Sequence, residues 1–111
     1  MAVLSALAAY AGDVTGTWRC LVELSVGSGS VTFELKQQGA ELTGTYSGTL
    51  GTLPLKGKVE GDHIVITFDA EAAGERFTAT YTGVIKSARE MEGQVKYGSL
   101  AEGTWKANRR E

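Results

Sequence analysis

Apolar and polar residues alternate with a period of two along most of the chain, in eight runs about ten residues apart that turn residues separate. Successive side chains of a β-strand point to opposite faces, so each run predicts a strand with one buried face. Short strands joined by hairpin-length turns predict an antiparallel meander. We therefore expect an all-β fold, an eight-stranded antiparallel up-and-down β-barrel whose interior holds side chains or one small ligand.

The tripeptide Gly-Thr-Trp occurs twice, at residues 16–18 in the first run and at residues 103–105 in the last. Both tryptophans, Trp18 and Trp105, lie on the inward phase of their runs. We interpret the two copies as the first and last strands of a closed barrel, each of which sends an indole ring into the core. Closure removes the exposed sheet edges that an open meander would present.

Glycine recurs on the inward phase of six predicted strands, two residues from a large apolar or aromatic neighbour in each. These glycines are Gly16, Gly44, Gly57, Gly83, Gly93 and Gly103. Because glycine weakens a strand, its repeated use there needs a reason. One reason is strong coiling of the strands in a small barrel. The other is space on the inner wall for a bulky side chain or a ligand.

Turn-forming residues separate the runs. The Gly-Ser-Gly-Ser stretch at residues 27–30 predicts the first turn, and Gly61-Asp62 predicts a tight hairpin. Pro54 falls on the outward phase of the fourth run. Since proline cannot donate a hydrogen bond to a ladder, it predicts either a strand start or a local break in pairing.

A chain of 111 residues with a formal net charge of -2 predicts a single domain, which we place at residues 13–111. This balance gives neither a basic footprint for nucleic acid nor a polybasic patch for a membrane surface. A lone cysteine excludes an internal disulfide. No apolar run approaches the roughly 18 residues of a membrane span. Nucleic acid and membrane are therefore not expected partners, and these features favour a cytoplasmic location.

Residues 1–12 carry no charge and are rich in alanine. Val3, Leu4, Leu7 and Ala8 fall on one face at helical spacing, and Gly12 is placed to end a helix. The pattern predicts a short N-terminal helix or cap over one end of the barrel. The alternative is a signal-peptide remnant, since the alanine spacing looks like a signal-peptidase site although a basic leading region is missing.

Three short phrases carry a family resemblance: Gly-Thr-Trp at residues 16–18, Leu-Thr-Gly-Thr-Tyr-Ser-Gly at residues 42–48 and Gly-Thr-Trp at residues 103–105. In this order they resemble the avidin–streptavidin type of barrel within the calycin group. They resemble more closely the small β-barrel domain that is appended to bacterial amidohydrolase-type metalloenzymes or stands alone. That second resemblance covers most of the chain and implies a calycin-like, lipocalin-like fold with no settled activity.

The avidin resemblance also implies a set of contacts to the ureido oxygen of biotin. In that family an Asn and a Ser follow the first Trp by two and six positions; Cys20 and Leu24 stand at those positions in this sequence. Tyr46 matches the tyrosine of the family, but the serine two residues later is Gly48. A site whose polar groups become apolar loses the complementarity its ligand needs. The resemblance thus implies the fold, and biotin is not an expected ligand.

The sequence predicts no catalytic residue, no metal site and no cofactor. His63, the one histidine, falls on the outward phase next to Asp62, where we expect a solvated residue rather than a base. Cys20 falls on the inward phase beside Trp18, where we expect a small core residue rather than a nucleophile. One histidine and one cysteine do not make a metal-ligand cluster. We therefore do not expect an enzyme.

The inward aromatic residues support a first hypothesis of function. It is a non-enzymatic barrel that binds a small, mainly apolar molecule at one mouth, contacted by Trp18, Tyr46, Tyr81 and Trp105. This hypothesis predicts an internal cavity of about 300 Å³ or more. The hydroxyls of Tyr46, Tyr81 and Tyr97 are the candidate polar groups of such a mouth, unless they reach solvent or backbone instead.

The outward apolar residues support an alternative, a structural or protein-interaction module. Leu21, Val65 and Val84 are the few apolar residues on the outward phase. If they form one patch, alone or together with residues 1–12, a homodimer is the expected assembly.

Overall fold

A computed structural model describes residues 13–72 and 74–110 of the chain. Its elements are β1 (Gly16–Leu24), β2 (Gly27–Gln38), β3 (Glu41–Gly48), β4 (Gly51–Glu60), β5 (His63–Ala72), β6 (Glu75–Ser87), β7 (Glu90–Tyr97) and β8 (Ala101–Arg109). No helix in these ranges has the length and apolar character needed to cross a membrane. The predicted N-terminal cap at residues 1–12, and its signal-remnant alternative, lie outside the described residues.

The eight strands form a closed barrel in which each strand pairs antiparallel with its neighbours along the chain. β8 pairs with β1, so that Trp18 is the partner of Arg109 and Val22 is the partner of Trp105. Buried residues alternate with exposed ones along the strands, and both tryptophans belong to the core. The predicted all-β, eight-stranded up-and-down barrel is confirmed.

The first turn differs from the prediction. It consists of Ser25 and Val26, whereas residues 27–30 belong to β2 and pair with residues 21–24 of β1. Glycine and serine are typical of turns, but here a full-length partner strand holds them extended. All four residues are exposed, so this strand end needs no apolar side chain.

The inward glycines allow neighbouring strands to approach closely. A Cβ at Gly93 would overlap the carbonyl oxygen of Thr82 on β6. A similar overlap with a backbone oxygen would occur at Gly44, Gly57, Gly83 and Gly103. At Gly83 the added Cβ would also lie 2.8 Å from the indole ring of Trp105. At these five positions glycine thus permits close strand approach, and the space at Gly83 is taken by a bulky side chain. At Gly16, the sixth, an added Cβ would meet only the Arg109 guanidinium, 3.2 Å away.

The turns define two ends of the barrel. The turns after β1, β3, β5 and β7 lie at one end, which we name the tyrosine end because Tyr46 and Tyr97 lie in the last residues of β3 and β7. The turns after β2, β4 and β6 lie at the other end, together with both ends of the described chain. We name this the terminus end.

Residues 13–15 cover the terminus end. The amide of Val14 donates to Gln37 Oε1 at 2.9 Å, and its carbonyl oxygen accepts from Trp18 Nε1 at 2.9 Å. The guanidinium of Arg109 lies 4.8 Å from the centroid of the Trp18 ring and donates to two backbone carbonyl oxygens of this segment. Packed and hydrogen-bonded groups therefore close this end.

The β4–β5 hairpin is paired over only half of its length. Both strands have ten residues, but pairing starts beside the turn and stops at Lys56 and Thr67. Hydrogen-bonded pairs alternate with non-bonded pairs along an antiparallel ladder. After Lys56 and Thr67, the next hydrogen-bonded pair would therefore be Pro54 and Asp69. Proline has no N–H to donate. The predicted break in pairing is confirmed, and Pro54 lies within β4 rather than at its start.

The break opens the side of the barrel near the tyrosine end. Residues 51–55 of β4 pair only with β3, and residues 68–72 of β5 pair only with β6. We name the gap between these two segments the lateral cleft. Its walls are held on one side only, so moving them breaks fewer ladder bonds than moving a segment that pairs on both sides.

Replacing Pro54 with threonine restores a backbone donor where the ladder stops. We expect Pro54→Thr to add one hydrogen-bonded pair and to slow hydrogen exchange of the Asp69 amide about fivefold, as a net bond of about 1 kcal/mol would. Exchange measured by NMR tests this, with the Thr67 amide as the reference inside the ladder. An Asp69 amide as protected as that of Thr67 before the substitution would contradict the break.

Candidate ligand site at the tyrosine end

Half-buried apolar side chains gather at the tyrosine end. Five of them pack against the core, each within three positions of a turn at this end: Leu24, Leu50, Leu53, Phe77 and Tyr97. We name this group the apolar rim. At the terminus end, by contrast, the apolar side chain of Val14 is buried. A ring of partly exposed apolar side chains at one end of a barrel is typical of a ligand mouth.

Two tyrosine hydroxyls form a hydrogen bond with each other at the tyrosine end. The oxygens of Tyr81 and Tyr97 lie 2.6 Å apart. Burial raises the pKa of Tyr97 to about 12, and burial likewise raises the pKa of Tyr81. Both groups are therefore protonated near neutral pH. The pair holds two hydroxyl protons and uses one between its members, so one proton is left to donate.

The Tyr46 hydroxyl is the most unusual polar group of the core. It is fully buried and has no hydrogen-bond partner among the described residues. Burial raises the pKa of Tyr46, while the Leu50 amide and the hydroxyls of Tyr97 and Thr49 act in the opposite direction. These groups approach the oxygen without reaching hydrogen-bond geometry. A buried unpaired hydroxyl costs about 1–3 kcal/mol, so its presence needs an explanation beyond packing.

Aromatic rings fill the barrel below the rim. Tyr46 stacks on Phe68 with the ring centroids 4.3 Å apart, and Phe33 meets Tyr81 edge-on at 5.0 Å. Trp105 also meets Tyr81 edge-on, at 5.7 Å. These contacts are typical of well-packed aromatic cores. The space that the binding hypothesis placed inside the barrel is thus occupied by rings.

Open space lies instead at the lateral cleft. A concavity of about 420 Å³ there is lined by Leu50, Leu53, Asp69, Ala70, Glu71 and Arg76. Leu50 and Leu53 in its lining belong to the rim. Its polar side chains already have partners: Asp69 accepts from Thr78 Oγ1 at 2.9 Å, and Glu71 lies 3.5 Å from Arg76. Its volume lies within the range of small-molecule pockets.

The four predicted contact residues all lie in the core, but at different heights. Tyr46 and Tyr81 extend toward the tyrosine end. Trp105 lies midway along β8, and its Nε1 donates to two backbone carbonyl oxygens at 3.1 Å each. Trp18 lies at the terminus end, where it bonds to residue 14. The structure therefore brings Tyr81 and Trp105 together and places Trp18 at the opposite end from the rim.

Reasoning from the sequence did not find the rim or the cleft as a site. Leu24, Leu53 and Phe77 fall on inward phases that the alternation identifies, and each stands near a turn that follows an odd-numbered strand. Alternation does not give the height of a residue along the barrel axis, so it does not show that these three residues lie at the same end. Tyr97, which was a candidate polar group for a mouth, does belong to the rim.

A larger concavity, of about 840 Å³, lies on the outer face around β6 and β7, with His63, Val65 and Val84 in its lining. His63 is the register partner of Val84, so the two valines are diagonal neighbours on adjacent strands and form one small exposed patch. Leu21 is separated from Val84 by two strands that carry charged residues in the same row. The three outward apolar residues therefore do not form a single patch.

His63 and Cys20 lie on opposite sides of the sheet. His63 Nε2 is 3.6 Å from Asp62 Oδ1, and both side chains are largely exposed. Cys20 is buried, and burial raises the pKa of its thiol to about 12. The thiol is therefore protonated near neutral pH, which makes it a poor nucleophile. Within residues 13–72 and 74–110, no three His, Cys, Asp or Glu side chains come together as metal ligands would.

Comparison with solved structures finds barrels of the same fold. A redesigned beta barrel matches with a TM-score of 0.73 at 13% sequence identity, over 88% of this chain and 92% of that one. EF1p2_mFAP2b bound to DFHBI matches with a TM-score of 0.63 at 13% identity, over 88% of this chain and 94% of that one. At this identity the likeness shows the fold alone. No protein-family model and no curated protein matches the sequence.

Proposed function

We propose that this barrel binds a small, mainly apolar molecule at the tyrosine end. The observation that carries the proposal is the Tyr46 hydroxyl, fully buried and without a partner among the described residues. A polar atom of the ligand would supply that partner, and the apolar rim would cover the rest of the molecule. EF1p2_mFAP2b, a barrel of the same fold that is bound to DFHBI, supports the idea that such a barrel can hold a ligand.

The tyrosine end is favoured over the larger concavity of the outer face. The polar side chains that line the outer concavity, such as those of His63 and Glu92, are wholly or partly open to water. Water can therefore satisfy their polar groups without any ligand. The Tyr46 hydroxyl lies beneath the rim, where the described residues leave it unsatisfied.

An apolar fluorescent probe tests this function. We expect N-phenyl-1-naphthylamine, whose emission rises in apolar surroundings, to bind saturably with one site per chain. Leu53→Lys, which places a charge in the rim, is expected to weaken binding about tenfold, because part of the apolar surface that covers the probe is lost. Leu21→Lys is the matched control on the outer face and is expected to change affinity less than twofold.

Two results would count against the tyrosine end. One is the absence of any saturable rise in emission with the unmodified protein. The other is an equal loss of affinity in Leu53→Lys and Leu21→Lys, since the loss would then not depend on the rim. Thermal unfolding of both variants shows whether the barrel is intact.

A homodimer is the second candidate, favoured by the contiguity of Val65 and Val84 on the outer face. Leu21 would not belong to that contact, and the proposed contribution of residues 1–12 lies outside the described residues. Native mass spectrometry measures the assembly directly. A dimer that Val84→Lys dissociates supports this interface, and a monomeric mass at high micromolar concentration argues against it.

The finer identity of the barrel is also a proposal. The phrases at residues 16–18, 42–48 and 103–105 lie on β1, β3 and β8 of a closed eight-stranded barrel, which supports a calycin-like relationship. A place beside a bacterial amidohydrolase-type enzyme, or as a stand-alone domain, rests on the same phrases. We further propose binding without catalysis, supported by the protonated thiol of Cys20 and the outward position of His63. A cytoplasmic location stays a prediction.

A further inference from the structure

We infer that the ligand is an uncharged molecule with an apolar, ring-sized body and one hydrogen-bond acceptor oxygen, such as an aryl ketone, held by the Tyr46 hydroxyl at the lateral cleft. This inference rests on the proposed function and specifies its ligand class. Three features of the tyrosine end carry it: the balance of hydrogen-bond donors, the absence of buried charge among the described residues, and the position of the cleft.

The donors at the tyrosine end point to an acceptor on the ligand. The Tyr46 hydroxyl has an unused proton, and the Tyr81–Tyr97 pair has one more. The Leu50 amide and the hydroxyls of Tyr97 and Thr49 lower the pKa of Tyr46, as donors toward its oxygen do. What the Tyr46 hydroxyl lacks is therefore an acceptor for its own proton. A carbonyl oxygen, which only accepts, complements this hydroxyl without adding another donor.

The surroundings favour an uncharged ligand. No charged side chain is buried among residues 13–72 and 74–110. The charges that line the cleft are already engaged, Asp69 with Thr78 and Glu71 with Arg76. An anion beneath the rim would lose its hydration without gaining a counter-charge.

The cleft offers a route to the buried hydroxyl. Tyr46 is the register partner of Leu53, and Leu53 stands in the half of β4 that pairs on one side only. The Tyr46 ring stacks on Phe68, the first residue of the unpaired half of β5. An outward shift of residues 51–55 would therefore uncover the Tyr46 ring from the side, and Leu53 of this segment also lines the concavity of about 420 Å³.

Three aryl compounds of nearly equal size test the inference: acetophenone, which has an acceptor; ethylbenzene, which has none; and benzoate, which is charged. Affinities are measured by NMR titration, followed at the amides of Thr49 and Leu50. Tyr46→Phe is expected to weaken the binding of acetophenone about tenfold, while the affinity for ethylbenzene changes less than twofold. Benzoate is expected to bind the unmodified protein at least tenfold more weakly than acetophenone.

The outcomes separate the ligand class from the function itself. If neither acetophenone nor ethylbenzene shifts these amides, nor N-phenyl-1-naphthylamine binds, the proposed function fails. If both compounds bind and Tyr46→Phe changes the two affinities equally, the barrel binds apolar molecules but the Tyr46 hydroxyl does not distinguish them. That result overturns the inference. Benzoate binding as tightly as acetophenone would overturn it too. The thermal midpoint of Tyr46→Phe should equal or exceed that of the unmodified protein, because the change removes an unpaired buried hydroxyl.

Discussion

Gly93→Ala is expected to destabilise the barrel by about 3 kcal/mol or more, at the upper end of what overpacking costs. The added methyl would overlap the carbonyl oxygen of Thr82 and the Cα of Gly83, both on the neighbouring strand. A flexible side chain could rotate away from such a clash, but a backbone paired in a ladder has no rotamer to change. Urea unfolding, followed by tryptophan fluorescence, measures the loss as a lower midpoint at unchanged slope.

The matched control is Gly29→Ala. Gly29 also lies in a strand, but a Cβ there would meet nothing within 4 Å. We expect a change within about 0.5 kcal/mol, as for surface substitutions away from special features. If the two variants unfold at the same urea concentration, then close strand approach is not the reason for glycine at position 93.

Gly83 and Gly93, which are register partners on β6 and β7, also explain where Trp105 fits. Gly93 is the register partner of both Gly83 and Trp105. The indole ring packs beside Gly83, and its Nε1 donates to carbonyl oxygens on β6 and β7. Strand coiling and room for a bulky side chain were two separate interpretations of the inward glycines. At this position they describe one arrangement, because the strands that come close also expose carbonyl oxygens to the indole.

The sequence predicts the fold well because alternation determines which side of the sheet each residue faces. It also predicts the ladder break, because Pro54 lacks the donor that the ladder needs there. The first turn was misplaced because composition was the only guide at residues 27–30, and exposed Gly and Ser residues fit a strand end as well as a turn. Pairing with β1, which is a tertiary effect, decided between the two.

The candidate site was predicted only in part, because alternation gives the face of a residue but not its height. Strands in a barrel are tilted and staggered, so inward residues of different strands meet at heights that depend on register. Trp18 and Tyr46 both point inward, yet they lie toward opposite ends. The unpartnered hydroxyl is also invisible in a sequence, since it depends on where the turn at residues 49–50 comes to lie.

Trp18→Ala is expected to cost about 3–5 kcal/mol, as other large-to-small changes in protein cores do. The indole is fully buried, it bonds to the Val14 carbonyl oxygen, and Arg109 covers its face. Its removal therefore leaves a void at the terminus end and releases the segment that closes it. Thermal and urea unfolding measure the loss, and a cost under about 1 kcal/mol would show that Trp18 is not a core residue.

Trp18→Phe separates ring volume from the hydrogen bond. It keeps most of the apolar surface and loses the Nε1 donor, so we expect it to destabilise the barrel by about 1–2 kcal/mol. Trp18→Ala also tests the location of the ligand site. At a temperature where Trp18→Ala is still folded, N-phenyl-1-naphthylamine should bind within twofold of its normal affinity, because the rim lies at the other end. A tenfold loss would mean that the probe reaches the terminus end, and the site would have to include Trp18.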